Sequence, residues 1–297
     1  MSKLNIGGLQ LSLNNNNSTL DENNFDQIEN EIELAMARFP WIDMLVLSEL
    51  ASYGVKAIYA QKKNSEVENF FAILAKKHQV WIVPGSYLEK SGQDIFNTSP
   101  VVNPKGEIVA RYRKIYPFLP YETNITAGNK FVVFEIPNIG KLGIVICYDQ
   151  WFPEVCRNLC WLGAEAIICP TLTNTIDRPT ELALARANSI VNQCYFVNIN
   201  STGRSAYGKS VIYGPEGDTI YQANTGQELI TVELDFNRVR HVRERGLHGL
   251  CQNLKSFRDN DIIFPAYQKN AGDGELNKLG KLQLPQSNIK LANIKLD

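Results

Sequence analysis

Residues 141–157 read KLGIVICYDQWFPEVCR, and this stretch restricts the fold more than any other. Leu142, Ile144, Val145 and Ile146 form a short apolar run rich in β-branched residues. Runs of that kind, buried on both faces, belong to the middle of a sheet. The run stops at Cys147, and Pro153 suits the first position of a helix. EVCRNLCWLGAEA continues that helix, with Val155, Leu159 and Leu162 on one face. One cysteine therefore stands at the junction of a buried strand and a helix. Such elbows present a nucleophile at the edge of a sheet. A helix N-terminus also favours the thiolate, the reactive form. The same position suits a small buried hydrophobe, the usual role of a free cysteine.

The flanking chain alternates strands and helices. Residues 4–13 read as a strand. Residues 21–38 read as a helix, with Phe25, Ile28, Ile32, Ala35 and Met36 at helical spacing and Asp21 as its cap. Residues 44–47 form a buried strand that ends at Ser48-Glu49, residues 65–78 a helix and residues 80–88 a third strand. Polar residues at the C-terminal ends of strands are where α/β sheets bind ligands. A hairpin turns at NPKG, and residues 113–130 form a long loop containing Lys114 and Glu122. Loops of that length in a compact domain are usually functional.

Past the elbow, residues 166–169 are a strand that leads into a polar loop at residues 171–177. A helix at residues 180–192 and a strand at residues 195–199 follow. A second hairpin and a strand at residues 229–234 complete the pattern. The hairpins VVNPKGEIV and IYGPEGDTI place Pro, Gly and an acid at matched offsets. Each closes a strand-helix-strand series, which points to two similar halves. The expected fold is α/β: a four-layer α-β-β-α sandwich over residues 1–235 as a single domain. Residues 236–297 form a C-terminal extension that packs on the domain or on a neighbouring subunit. Within it, RVRHVRER reads as an exposed helix face.

Composition narrows the function classes. Of 297 residues, 44% are hydrophobic and 21% charged, which fits a globular protein with a sizeable core. A net charge of −1 gives no reason to expect nucleic acid or an anionic membrane as a partner. No apolar run approaches the roughly 18 residues of a membrane span. The first residues lack the layout of a secretory signal, so the expected location is cytoplasmic. The six cysteines then read as reduced thiols. Cys156 and Cys160 lie one helical turn apart, but no His or further Cys completes a metal site. Neither a metal nor a cofactor is expected.

Three residues stand at comparable places. Glu49 ends a buried strand, Lys114 opens the long loop and Cys147 ends a central strand. A thiol attacks a carbonyl, a carboxylate moves the proton from thiol to leaving amine, and an ammonium stabilises the oxyanion. The parts for acyl transfer are therefore present. A papain-like thiol site would need a histidine, but His78 falls at a helix end and His241 and His248 in a charged, irregular region.

The segments LVLSELASYG, RYRKIYPFLPYE and GIVICYDQWFPEVCR resemble the nitrilase (carbon–nitrogen hydrolase) superfamily, as do LALARANSIVNQCYFVNINSTG and GKSVIYGPEGDTI. The resemblance spans roughly residues 4–234 in the same order. It implies the α-β-β-α sandwich and a Glu-Lys-Cys triad, with Glu49 as general base and acid, Lys114 as oxyanion stabiliser and Cys147 as nucleophile. A second family glutamate, eight positions after the lysine, matches Glu122 and would orient the lysine or the substrate. Tyr53, Tyr148, Trp151 and Thr173 are candidates for lining the pocket, with the loop at residues 171–177. The family forms dimers and larger assemblies, so a homodimer or higher homo-oligomer is expected.

Nitrilases proper carry Trp-Glu after the cysteine, whereas this chain has Tyr148-Asp149, which favours amide over nitrile. The expected reaction is hydrolysis of a small amide to acid and ammonia through a cysteine thioester. The alternative is an N-carbamoyl-amine hydrolase, which CYDQWFPE also resembles. Lesser alternatives are a nitrilase and a binding or scaffold protein that kept the fold without turnover.

Overall fold

The computed structural model describes residues 2–15, 19, 22–204, 206–268 and 274–284. The first half contains β1 (Lys3–Gln10), α1 (Phe25–Arg38), β2 (Met44–Val46), α2 (Glu66–His78) and β3 (Trp81–Val83). Strands β4 (Tyr87–Ser91), β5 (Asp94–Val102) and β6 (Ile108–Arg113) complete it. The second half contains β7 (Val133–Ile136), β8 (Gly140–Ile144), α3 (Pro153–Trp161), β9 (Ala166–Thr171), α4 (Arg178–Asn192) and β10 (Tyr195–Asn200). It continues with β11 (Val211–Tyr213), β12 (Thr219–Gln222) and β13 (Glu228–Asp235). Helices α5 (Phe236–Arg245) and α6 (Asn253–Arg258) follow.

Two sheets form. One has the order β13-β1-β2-β3-β5-β4 with β6 against β5, and the other has β12-β11-β10-β9-β8-β7. Strands β1-β2-β3 are parallel in the first sheet, and β8-β9-β10 are parallel in the second. Each parallel trio is joined by helical crossovers, so the two halves repeat one unit. Side chains alternate between the two faces of a strand, and that alternation separates the layers. Met44 and Val46 of β2, Ile168 of β9 and Val197 of β10 enter the core between the sheets. Leu45 faces the layer of α1 and α2. Ile167 and Phe196 face that of α3 and α4. The architecture is the four-layer α-β-β-α sandwich.

Local departures from expectation have identifiable causes. Residues 80–88 are two strands, not one, because the chain turns sharply at Pro84-Gly85. Gly85 has φ +76, and a Cβ there would lie 1.7 Å from the Ser48 carbonyl oxygen. Helix α1 starts at Phe25 after Asn24, four residues later than expected, and Asp21 lies outside the described residues. The Asn24 amide instead bonds Asn14 and the Ala51 carbonyl, tying two loops together. Helix α3 stops at Trp161, short of the expected GAEA, where Gly163 takes φ +101. Strand β5 starts at Asp94, well before the Val101-Val102 arm of the expected hairpin; Asn97, Thr98 and Ser99 are fully buried in it. Helix α5 is not merely an exposed face. Phe236, Val239 and Val242 are buried, while Arg243 donates to the carbonyls of Gln193 and Ala164. No helix among the described residues is long and apolar enough to cross a membrane.

Candidate active site

Each chemical group sits just past the end of a strand. After β2, Glu49 donates its backbone N–H to the Thr171 carbonyl at 3.3 Å, across to the end of β9 in the other sheet. The next residue, Leu50, has φ +54 and donates its N–H to Ser86 Oγ at 3.0 Å. This clamp aims the Glu49 side chain into the space between the sheet ends. Lys114 directly follows β6, its backbone held by Asn97 (2.8 Å) and Gly128 (2.7 Å). Cys147 follows β8 with φ +44, a left-handed conformation rare outside glycine. It opens a tight 3-10 turn at Cys147–Trp151.

Asp149 holds that turn. Its Oδ2 accepts from Ile146 N at 2.9 Å and the Tyr112 hydroxyl at 2.7 Å, and its Oδ1 accepts from Tyr116 N at 2.9 Å. Burial nevertheless pushes its carboxyl up to about 6. The strained cysteine is therefore backed by a buried acid on the same turn.

Side chains converge as follows. Lys114 Nζ donates to Glu49 Oε1 at 2.9 Å and to Glu122 Oε2 at 3.0 Å. Asn97 Nδ2 donates to the same Glu49 oxygen at 2.8 Å, and Phe118 N donates to Glu122 Oε2 at 2.5 Å. Glu49 and Lys114 are 3% and 1% exposed. Burial opposes the charge of Lys114, but Glu49, Glu122 and Cys147 outweigh it and hold the ammonium well above its ordinary pKa. Burial raises Glu49, against the pull of Lys114. Burial, then the charges of Glu49 and Glu181, push the Cys147 thiol well above its usual range, with Lys114 opposing. A protonated thiol next to a carboxylate of raised basicity is an arrangement for proton transfer at the moment of attack.

The thiol opens on a cavity of about 730 Å³. Glu49, Lys114, Glu122 and Cys147 all line it, and so do Tyr148, Trp151 and Thr173. Thr173 Oγ1 lies 3.8 Å from Cys147 Sγ. Leu172, Asn174, Thr175 and Asp177 bring most of the polar loop to the same wall. Phe118 and Tyr148 pack edge to face at 4.9 Å and give it an aromatic side. Tyr53 does not line it. It belongs to the core under α1 and α2, packs on Phe25 at 5.2 Å and donates its hydroxyl to Glu66 at 2.9 Å. Its closeness to Glu49 in sequence is undone by the turn at Leu50.

Three contributors escape sequence reading. Asn97 lies in an unexpected strand. Gln150 and Glu181 meet at 3.3 Å beside the thiol, and Glu181 Oε1 is 3.9 Å from Cys147 Sγ. An acid in the first turn of a helix has an ordinary explanation in the helix dipole, so Glu181 carried no signal of its own.

With this geometry in place, comparison with known proteins is decisive. Residues 8–244 match the model of the carbon–nitrogen hydrolase family. The chain belongs to that family. It is 31% identical over 242 residues to an omega-amidase, NIT3, of Saccharomyces cerevisiae, covering 72% of this chain and 81% of the relative. It is 29% identical to a 2-oxoglutaramate amidase of Bacillus subtilis, covering 68% of this chain and 82% of the relative. The crystal structure of yeast Nit3, from branch 10 of the nitrilase superfamily, superposes with a TM-score of 0.74 at 27% identity, covering 82% of this chain and 94% of that one. This carbon–nitrogen hydrolase therefore shares its sandwich with an amidase-like branch.

Proposed function

We propose that the protein hydrolyses the C–N bond of a small primary amide to an acid and ammonia, with Cys147 as nucleophile. The observation that carries the reading is the buried chain Glu49–Lys114–Glu122 converging with a strained cysteine on one cavity. In acylation, Glu49 takes the thiol proton as sulfur attacks the amide carbon, and Lys114 faces the developing oxyanion. Glu49 then returns the proton to nitrogen and ammonia leaves. Water activated by Glu49 hydrolyses the thioester and releases the acid. Glu122, bonded to both Lys114 and the Phe118 amide, holds the ammonium in place. Amide and water are the only reactants.

The named relatives act on ω-amides, which makes a short dicarboxylic monoamide the first substrate to try. Arg204 on the cavity wall is a cation available to its distal carboxylate. A second reading, hydrolysis of an N-carbamoyl amine, is supported by Glu181 and Asp177 on the same wall. Their carboxylates suit the N–H donors of a ureido group. The six free cysteines fit the reducing cytoplasm. Trp161 and Leu162, more than half exposed at the end of α3, offer an apolar face to a second copy in a homodimer.

The test is ammonia release from ω-amides, aliphatic amides, N-carbamoyl amines and nitriles, with Cys147→Ala as control. Release from an amide or carbamoyl class by wild type, abolished in the folded variant, is the expected result. Equal turnover by Cys147→Ala would end the reading.

A further inference from the structure

Glu181 is a buried carboxylate that the steps above leave unused. It is 2% exposed in the first turn of α4, yet it lines the cavity. Its Oε2 accepts from Arg178 Nη1 at 3.1 Å. Arg178, also 2% exposed, is itself locked by Asn198 Oδ1 at 2.8 Å and by the carbonyls of Gly208 (3.2 Å) and Lys209 (2.9 Å). The carboxylate is thus fixed from behind. Among the described residues its Oε1 has only long contacts, with Gln150 Nε2 at 3.3 Å and the Cys147 thiol at 3.9 Å. A carboxylate offers about four lone-pair sites over its two oxygens. Oε1 therefore faces the thiol with acceptor capacity to spare.

Glu49 lines the same cavity, and its charge acts on that thiol. A carbonyl carbon poised for attack lies about 3–3.5 Å from sulfur, within reach of both acids. An amide nitrogen brings two N–H donors to this place, whereas an ester oxygen brings none. We propose that Glu181 accepts one N–H of the scissile amide while Glu49 faces the other, so that the two acids together select –NH2 as the leaving group. The proposal rests on Cys147 being the nucleophile. In the step itself, the S–C bond forms as the thiol proton passes to Glu49, and the C–N bond breaks as Glu49 returns it to nitrogen. Glu181 exchanges no proton; it recognises the leaving group. A site built to bind a substrate N–H rejects an analogue that lacks it far more strongly than a merely apolar site does.

Glu181→Gln makes a sharp test because Arg178 only donates. The glutamine oxygen must face Arg178, which turns the NH2 toward the thiol. An acceptor becomes a donor, unfavourable for an amide and neutral or favourable for an ester. The measurement is kcat/KM for the panel's fastest primary amide and for the methyl ester of the same acid (for a dicarboxylate, succinamate and monomethyl succinate). This ratio reports acylation and is independent of hydrolysis of the shared thioester.

The amide value should fall roughly 10- to 100-fold in Glu181→Gln, as expected for loss of a hydrogen bond to a charged group, while the ester value holds or rises. Glu181→Asp keeps the charge that Arg178 needs but withdraws the acceptor, so its amide-to-ester ratio should fall too. Circular dichroism and alkylation of Cys147 by iodoacetamide verify that each variant folds. A parallel loss on amide and ester, or a ratio that moves less than about threefold in both folded variants, overturns the proposal. Failure of the underlying reading would look different: Cys147→Ala would turn over the amide as wild type does.

Discussion

Lys114 carries one positive charge between two carboxylates, and that single ammonium makes the cluster tolerable in a buried place. Uncompensated charges are expensive to bury, so Glu49, Lys114 and Glu122 stand or fall together. Asp149 obeys a different balance. Among the described residues it bonds two backbone N–H groups and a tyrosine hydroxyl, and burial outweighs these and the charge of Lys114, lifting its pKa from the ordinary 3.8 to about 6. The folded state thus holds this proton more tightly than the unfolded chain. Its contribution to stability is fully present below about pH 4 and is lost as pH rises through about 6. The rise corresponds to on the order of 3 kcal/mol. Asp149→Asn cannot titrate and accepts through only one oxygen. The stability advantage of wild type over Asp149→Asn should therefore shrink between about pH 4 and 7, as read from urea unfolding. A gap that stays constant with pH would show that Asp149 titrates normally.

At the scale of the element, catalytic geometry depends on how strands end. The β2 end and the turn after β3 touch where Gly85 meets the Ser48 carbonyl, one residue before Glu49. A side chain at Gly85 needs both a left-handed backbone and space occupied by main chain. Gly85→Ala should cost roughly 2–4 kcal/mol, combining left-handed strain with overpacking. It should also lower kcat/KM by shifting Glu49. Thermal unfolding and the ammonia assay together check this; a variant as stable and as active as wild type would refute the contact. The same scale explains the strand that sequence reading missed. Asn97-Thr98-Ser99-Pro100 has turn composition, yet β5 pairs with both β4 and β6 there. Pairing with strands on both sides, together with the bonds from Asn97 Nδ2 to Glu49 and from Thr98 Oγ1 to Glu89, overrides local preference.

At the scale of the whole molecule, the chain returns to where it began. β13 runs antiparallel to β1 from Lys3 opposite Asp235 to Gln10 opposite Glu228. Helix α5 then caps the core between the sheets with Phe236 and Val239. Arg238 pairs with Glu216 and Asp218, tying the helix to the GPEGD hairpin. A chain ending at Asp235 loses three buried apolar side chains, each worth roughly 1.5–3 kcal/mol. That sum rivals the net stability of a typical domain. A chain ending at Arg245 keeps them. Expression of both should give a soluble, cooperatively unfolding protein only for the longer one. Equal solubility and equal melting temperatures would remove α5 from the folded core.

Much of the fold was legible because it depends on short-range periodicity: apolar runs as buried strands, helical spacing in α1 and α3, and Pro-x-Gly hairpins at matched places. Glu49, Lys114 and Cys147 were legible because each stands after a strand or opens the long loop, where side chains are free to converge, whereas Glu122 was legible only through the family resemblance. The tertiary structure alone decided what surrounds them. Tyr53 was turned away by a left-handed residue, while Asn97 and Glu181 were brought in from a disguised strand and a helix start. Those placements follow from long-range packing of two sheets, which no local pattern encodes. A sequence by itself determines which groups can do chemistry and roughly where along the fold they lie. Which of them share a cavity, at what distance and with what charge, is set only when the two halves close on each other.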